Sequence, residues 1–192
     1  MPINIPILLT WLRIVLIPLM IAVYYMPESW LVAFGRDLAA TLVFVVAAAT
    51  DWLDGYLARR WQQTSAFGAF LDPVADKLMV AAVLIVLVQL GRLDAILAAI
   101  IIGREITISA LREWMAQIGA HRSVAVSMIG KIKTTAQMIA IPMLLYQAPI
   151  GGIDVLQMGT WLIYVAAVLT LWSMGYYMRM AWPHLIEEER RR

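Results

Sequence analysis

Six apolar stretches, at about 7–25, 32–50, 69–90, 93–115, 124–146 and 155–178, leave only short connections in a chain of 192 residues. Each is close to the roughly 20 residues that an α-helix needs to cross the hydrocarbon core of a bilayer. Six such helices use roughly 120 residues, so no sizeable soluble domain is attached. Composition agrees: 62% of residues are hydrophobic and 15% are charged, against nearly half and a quarter in ordinary soluble domains. A soluble chain of this size has too little interior to hide that much apolar surface. The same figures exclude disorder, coiled coil and collagen. The expected fold is an all-α integral membrane protein, a six-transmembrane-helix bundle forming one domain over 1–192. No repeat, linker or low-complexity segment divides it.

The distribution of Lys and Arg sets the expected orientation. Arg59 and Arg60 lie between the second and third stretches, and Arg112, Arg122, Lys131 and Lys133 surround the fourth connection. Arg179, Arg190, Arg191 and Arg192 lie after the sixth. The alternate connections are poorer, with Arg36, then Arg92, then no basic residue near Asp154. The basic ends belong at the cytoplasm, and six spans place the N-terminus there too. Trp30, Trp61, Trp161 and Trp182 fall near expected helix ends, as an interfacial belt requires. MPINIPILLT carries no basic n-region, so no cleaved signal peptide is expected. There is no cysteine, which excludes disulfides, Fe–S clusters and thiolate metal sites. A net charge of +2 makes no case for nucleic acid.

The chemistry concentrates between the second and third stretches. Asp51, Asp54, Asp72 and Asp76 fall within 26 positions of a chain that has 13 acidic residues. Asp51 and Asp54 are three apart, and Asp72 and Asp76 four apart, so on helices each pair shares a face. Two such pairs on neighbouring helices converge. Four converging carboxylates near a membrane cannot all stay ionised without cations. Oxygen-only ligands point to Mg²⁺ or Mn²⁺ rather than zinc, and two pairs suggest two ions, the usual device for phosphoryl displacement. Gly55 removes a side chain where a ligand would approach the backbone. Ala58 and Gly68 allow close helix contact. Arg59 offers a bidentate phosphate partner, and Ser65 a further hydrogen bond. A single Asp-x-x-Asp pair beside a membrane is commonplace; four carboxylates with Gly55, Arg59 and Gly68 at fixed offsets are not.

Asp51-x2-Asp54-Gly55-x2-Ala58-Arg59-x8-Gly68-x3-Asp72-x3-Asp76 resembles the signature of the CDP-alcohol phosphotransferase family at every defined position. The stretches IPILLTWLRIVLIP, FGAFLDPVADK, REITISALREWMA and SVAVSMIGKIKTTAQM extend the likeness to nearly the whole chain, on a bacterial branch of that family. The resemblance implies a transferase of phospholipid biosynthesis that takes CDP-diacylglycerol and sn-glycerol 3-phosphate and releases phosphatidylglycerophosphate and CMP. It implies a homodimer in the bacterial inner membrane, multi-pass, with its active site facing the cytoplasm. It also implies that Asp51, Asp54, Asp72 and Asp76 bind metal and that Asp76 is the general base. A carboxylate held by a divalent cation is a poor base, so either Asp76 binds metal through one oxygen or proton transfer is late. Gly55, Arg59, Ser65, Gly68 and Thr10 match the CDP-diacylglycerol-binding set. Ile7 departs from the pattern, because some relatives carry Asn there to help hold the nucleotide.

Glycerol 3-phosphate is a dianion, so its pocket should be basic. Arg104 and Arg112 are eight apart, about two helical turns, and share a face; they are the expected glycerol-3-phosphate-binding residues. Lys131 and Lys133 are two apart and face different sides, so which of them reaches the phosphate stays open. Glu105 and Glu113 follow the two arginines as possible structural partners elsewhere. His121 and His184 lie in polar junctions, and EEERRR reads as a solvated tail.

Three other functions compete. A transporter or channel would also hold acids in a helical bundle, but predicts them near mid-membrane with some pseudo-repeat. A prenyltransferase would hold Mg²⁺-diphosphate on Asp-rich motifs, but lacks the Asp-Gly-x2-Ala-Arg continuation. A sibling transferase would use serine, inositol phosphate or phosphatidylglycerol as acceptor, and the basic set favours a phosphorylated one.

Overall fold

A computed structural model describes residues 5–61, 66–118 and 128–191. They form α1 (Ile5–Tyr25), α2 (Ala33–Trp61), α3 (Ala66–Gln89), α4 (Ala95–Gln117), α5 (Met128–Tyr146) and α6 (Val155–Arg191). Among the described residues the only strand-like feature is an isolated bridge between Ile150 and Ile153. The six-helix bundle expected from hydropathy is therefore the observed architecture. Two helices outrun their apolar stretches. α2 continues past Thr50 to Trp61, carrying Asp51 and Asp54 in the same unbroken helix, and α6 continues into the charged tail as far as Arg191.

The helices close into a ring. α1 packs on α2 and α3, α2 on α5, α5 on α6, α6 on α4, and α4 back on α3, with α3 touching α5 across the middle. The shared interior is made by Met20, Phe44, Val83, Leu87, Ile101 and Ile141 among others. Small residues let the backbones approach, as in other membrane bundles. A methyl group placed on Gly159 of α6 would lie 3.0 Å from Met143 Cβ and 3.3 Å from the Ala140 carbonyl of α5.

The outside of the bundle is apolar as well. Val15, Leu42, Ile85, Ile96, Ile106, Val168 and Trp172 are all exposed, which in water would be an aggregation surface and in lipid is a solvated one. Among the described residues, Ile7–Tyr25, Ala33–Asp54 and Val155–Pro183 are long and apolar enough to cross a membrane by composition alone. α3, α4 and α5 carry charged residues, and the bundle interior is where those charges meet their partners.

One end of the bundle is tied by an ion-pair network. Arg92, just after α3, donates through Nη2 to both oxygens of Asp37 on α2, each at 2.8 Å. Its Nη1 donates to the Leu145 carbonyl at 2.8 Å, at the end of α5. Tyr24 of α1 donates to Asp37 at 3.3 Å. α3 ends there in a Schellman turn: Arg92 N bonds Leu87 O and Gly91 N bonds Val88 O, with Gly91 at φ +68°, a conformation only glycine takes without strain. Asp94 then caps α4, accepting from Ile96 N at 2.7 Å. Arg92→Leu is expected to cost about 3–5 kcal/mol, because it leaves the buried Asp37 carboxylate unpaired. Thermal unfolding in detergent reads this, and turnover per folded molecule should stay near that of the parent, since the reactive end lies at the other side of the bundle.

Candidate active site

At the opposite end, α1, α2 and α3 bring polar side chains together. Thr10 and Arg13 are three apart on α1 and share a face. Arg13 is fully buried, with 0% of its side chain exposed. Taking a guanidinium out of both water and headgroups is costly unless anions meet it, and three do. Arg13 Nη2 donates to Asp54 Oδ2 at 2.6 Å. Its Nη1 donates to Asp76 Oδ1 at 2.6 Å and lies 3.0 Å from Asp51 Oδ1. One planar fork thus spans the carboxylates of two helices from a third. The fourth, Asp72, accepts from Thr10 Oγ1 at 2.6 Å.

The expected convergence of the two aspartate pairs is what the helices produce. Asp51 and Asp54 sit on the extension of α2 and Asp72 and Asp76 in the opening turns of α3. Asp54 is nearly buried, whereas Asp51 and Asp76 each keep 39% of their side chain exposed, so the cluster has a closed floor and an accessible rim. Arg13 is the residue that reading the sequence for chemistry passed over. Its signal was present, since it is the one charged residue in the 21-residue α1, and an intramembrane arginine is functional by default.

The donor set suits a hard divalent cation. Carboxylate oxygens from two helices surround one centre of positive charge, and the chain has no cysteine to compete. Among the described residues no three acidic or histidine side chains already stand at the spacing of a closed metal cage, because they are spread around the width of a guanidinium instead. The chemistry fits, with the oxygens gathered around Arg13.

A second, cationic cluster lies along α4, α5 and α6. Lys133 of α5 is buried and pairs with Glu105 of α4. Glu105 also accepts from Arg104 at 3.2 Å, so this glutamate is a partner inside the basic cluster. Arg104 reaches Ser173 Oγ of α6 at 3.3 Å. Tyr177 of α6 is fully buried, with the Arg104 and Arg112 guanidinium carbons 5.9 and 5.4 Å from its ring centre. The eight-residue spacing thus does put Arg104 and Arg112 on one face, and Lys133 joins them through Glu105. An apolar cavity of about 130 Å³ opens between α3 and α4, lined by Lys77, Leu78, Val80, Ala81, Ile102 and Glu105 among others. Through Lys77, the neighbour of Asp76, and Glu105 it borders both clusters.

Gly68 is buried in the first turn of α3. Gly55 and Arg59 lie on α2 and Lys131 on α5, but their side chains fall outside the described set. Ser65 and His121 lie outside the described residues altogether.

The family model described as CDP-alcohol phosphatidyltransferase matches residues 3–172. A curated protein of Escherichia coli (strain K12) is 50% identical over 190 residues, covering 98% of this chain and 100% of that protein. One of Shigella flexneri matches at the same identity and coverage. Both relatives are named CDP-diacylglycerol--glycerol-3-phosphate 3-phosphatidyltransferase.

Proposed function

The chain belongs to the CDP-alcohol phosphatidyltransferase family, and from that premise we propose that it transfers the phosphatidyl group of CDP-diacylglycerol to sn-glycerol 3-phosphate, releasing CMP. The observation that carries this reading is the pairing of an acidic centre with a cationic one at the same end of the bundle. The names of relatives matched along their full length support the same substrates.

Members of the family generally depend on divalent metal. Asp51, Asp54, Asp72 and Asp76 would hold Mg²⁺ or Mn²⁺, two ions per site. Bound there, the ions supply charge that offsets the donor diphosphate and the leaving phosphate. The chain's own residues do the rest. Thr10 holds the Asp72 carboxylate in place through a 2.6 Å hydrogen bond. Arg13 fixes Asp51, Asp54 and Asp76 relative to one another. Gly55, Arg59, Ser65 and Gly68 belong to the donor side. Arg104 and Arg112, with Lys133 or Lys131, bind the acceptor phosphate and orient the attacking hydroxyl. Asp76 takes the proton of that hydroxyl, from the exposed rim of the cluster. Most of the acceleration is positioning and charge neutralisation, as in other phosphoryl transfers.

The apolar exterior makes the chain a membrane protein. The reading extends to one catalytic domain over 1–192 in the bacterial inner membrane, acting as a homodimer with its reactive end at the cytoplasm, where the Lys and Arg excess lies.

The direct test is purified protein with CDP-diacylglycerol and a panel of acceptors: glycerol 3-phosphate, serine, inositol phosphate and phosphatidylglycerol. CMP release with glycerol 3-phosphate alone is expected; CMP release with another acceptor, or none, overturns the reading. Arg104→Ala and Arg112→Ala should each raise KM for glycerol 3-phosphate by about tenfold or more, the loss of one charge-assisted hydrogen bond. KM for CDP-diacylglycerol should be unmoved in the same kinetics.

A further inference from the structure

The two arginines assigned to the acceptor phosphate face an unusual partner. Arg104 is 7% exposed, and a guanidinium that buried is ordinarily met by a carboxylate. Here Glu105 meets Arg104 only at one nitrogen and is also bonded to Lys133. What α6 presents to both arginines is the ring of Tyr177, at 5.9 Å from Arg104 Cζ and 5.4 Å from Arg112 Cζ. The Nε atoms of Arg104 and Arg112 are both buried with no hydrogen-bond partner among the described residues. Each arginine therefore keeps hydrogen-bonding capacity inside the bundle.

An aromatic face suits this task better than an acid would. Its quadrupole attracts each cation by about 0.5–2 kcal/mol, enough to hold a rotamer, yet it takes up no N–H group and cancels no charge. A carboxylate at the same place would neutralise the guanidiniums and compete with a phosphate dianion. The ring is itself locked: Tyr177 packs with Ile108, Met115 and Ala181 in a small hydrophobic cluster between α4 and α6. Its hydroxyl accepts one long hydrogen bond, at 3.5 Å from Arg112 Nη2, so the ring face, shared by both arginines, carries most of the interaction.

We propose that Tyr177 is a positioning residue for the acceptor site, its buried ring holding Arg104 and Arg112 a fixed distance apart, with their N–H groups available to a phosphate dianion. This rests on the reading of those arginines as phosphate ligands. Tyr177 acts on the acceptor alone, because the aspartate cluster is built from α1, α2 and α3.

The test replaces the ring without changing its shape. Tyr177→Phe should leave KM for glycerol 3-phosphate within about twofold of the parent, because the π face is kept. Stepwise fluorination of that phenylalanine drains the negative face, and KM for glycerol 3-phosphate should climb with each fluorine, reaching about tenfold at full substitution. KM for CDP-diacylglycerol, kcat at saturating acceptor and the unfolding temperature should hold steady across the series. A flat KM for glycerol 3-phosphate, or a parallel rise in both KM values, overturns the proposal. Arg104→Ala and Arg112→Ala are measured beside it. If they leave the acceptor KM unchanged, the phosphate-ligand reading falls and this one with it; if they raise it while fluorination does nothing, only the role of Tyr177 falls.

Discussion

Asp72→Asn is expected to lower turnover by about three orders of magnitude, the scale of losing one fixed charge at a phosphoryl-transfer centre. It is the cleanest of the four aspartate substitutions. Asp72 makes no ion pair among the described residues, and it accepts a hydrogen bond from Thr10 at 2.6 Å. An asparagine oxygen can still accept that bond, so the fold loses nothing and only the negative charge goes. The measurement is kcat together with unfolding temperature on the purified variant. A large fall in kcat at unchanged stability is the expected result; activity within tenfold of the parent would remove Asp72 from the reactive centre.

Arg13→Met should produce the second large effect, and a different one. The guanidinium is the shared counter-ion of Asp51, Asp54 and Asp76. Asp51 and Asp76 are partly exposed and regain solvent when it is removed, so their share of the loss is small. Asp54, with 5% of its side chain exposed, has no such recourse. The expected cost is about 3–5 kcal/mol, the range for breaking a buried ion pair by removing one partner. Arg13→Lys keeps the charge but not the planar fork, so it cannot bond Asp54 through one nitrogen and Asp76 through another. It should fall between the parent and Arg13→Met in unfolding temperature, and an order of stability other than parent, lysine, methionine would count against the bridging role.

Local pattern carried much of the fold. Apolar runs long enough to cross a bilayer announce six helices, and the helices appear in those places. Where the helices end was less legible, because hydropathy stops at the membrane boundary and a helix does not. DWLDGYLARRW is charged, so the apolar stretch closes at about residue 50, yet its residues continue the helix to Trp61 and thereby set Asp51 and Asp54 in register with α3. The aspartate pairs were readable because their members are three and four apart, a local spacing that maps onto one helix face. Arg104 and Arg112 were readable for the same reason. Their partners were not: Arg13 lies 41 residues from Asp54 and Tyr177 lies 65 residues from Arg112. Nothing in local periodicity says which helix will stand beside which. That is fixed by how the ring closes, with α1 against α2 and α3 and α6 against α4. The position of Glu105 depended on the same packing, which makes it the partner of Lys133 and Arg104.

The proposed reaction needs four aspartates from two helices acting together on divalent ions, and Mn²⁺ reports on that without any turnover. Titration of the purified protein followed by electron paramagnetic resonance should show saturable Mn²⁺ binding. That binding should be lost when Asp51, Asp54, Asp72 and Asp76 are all replaced by asparagine in a protein that still folds. Equal Mn²⁺ binding by the parent and the quadruple variant, or no saturable binding by the parent, would contradict it.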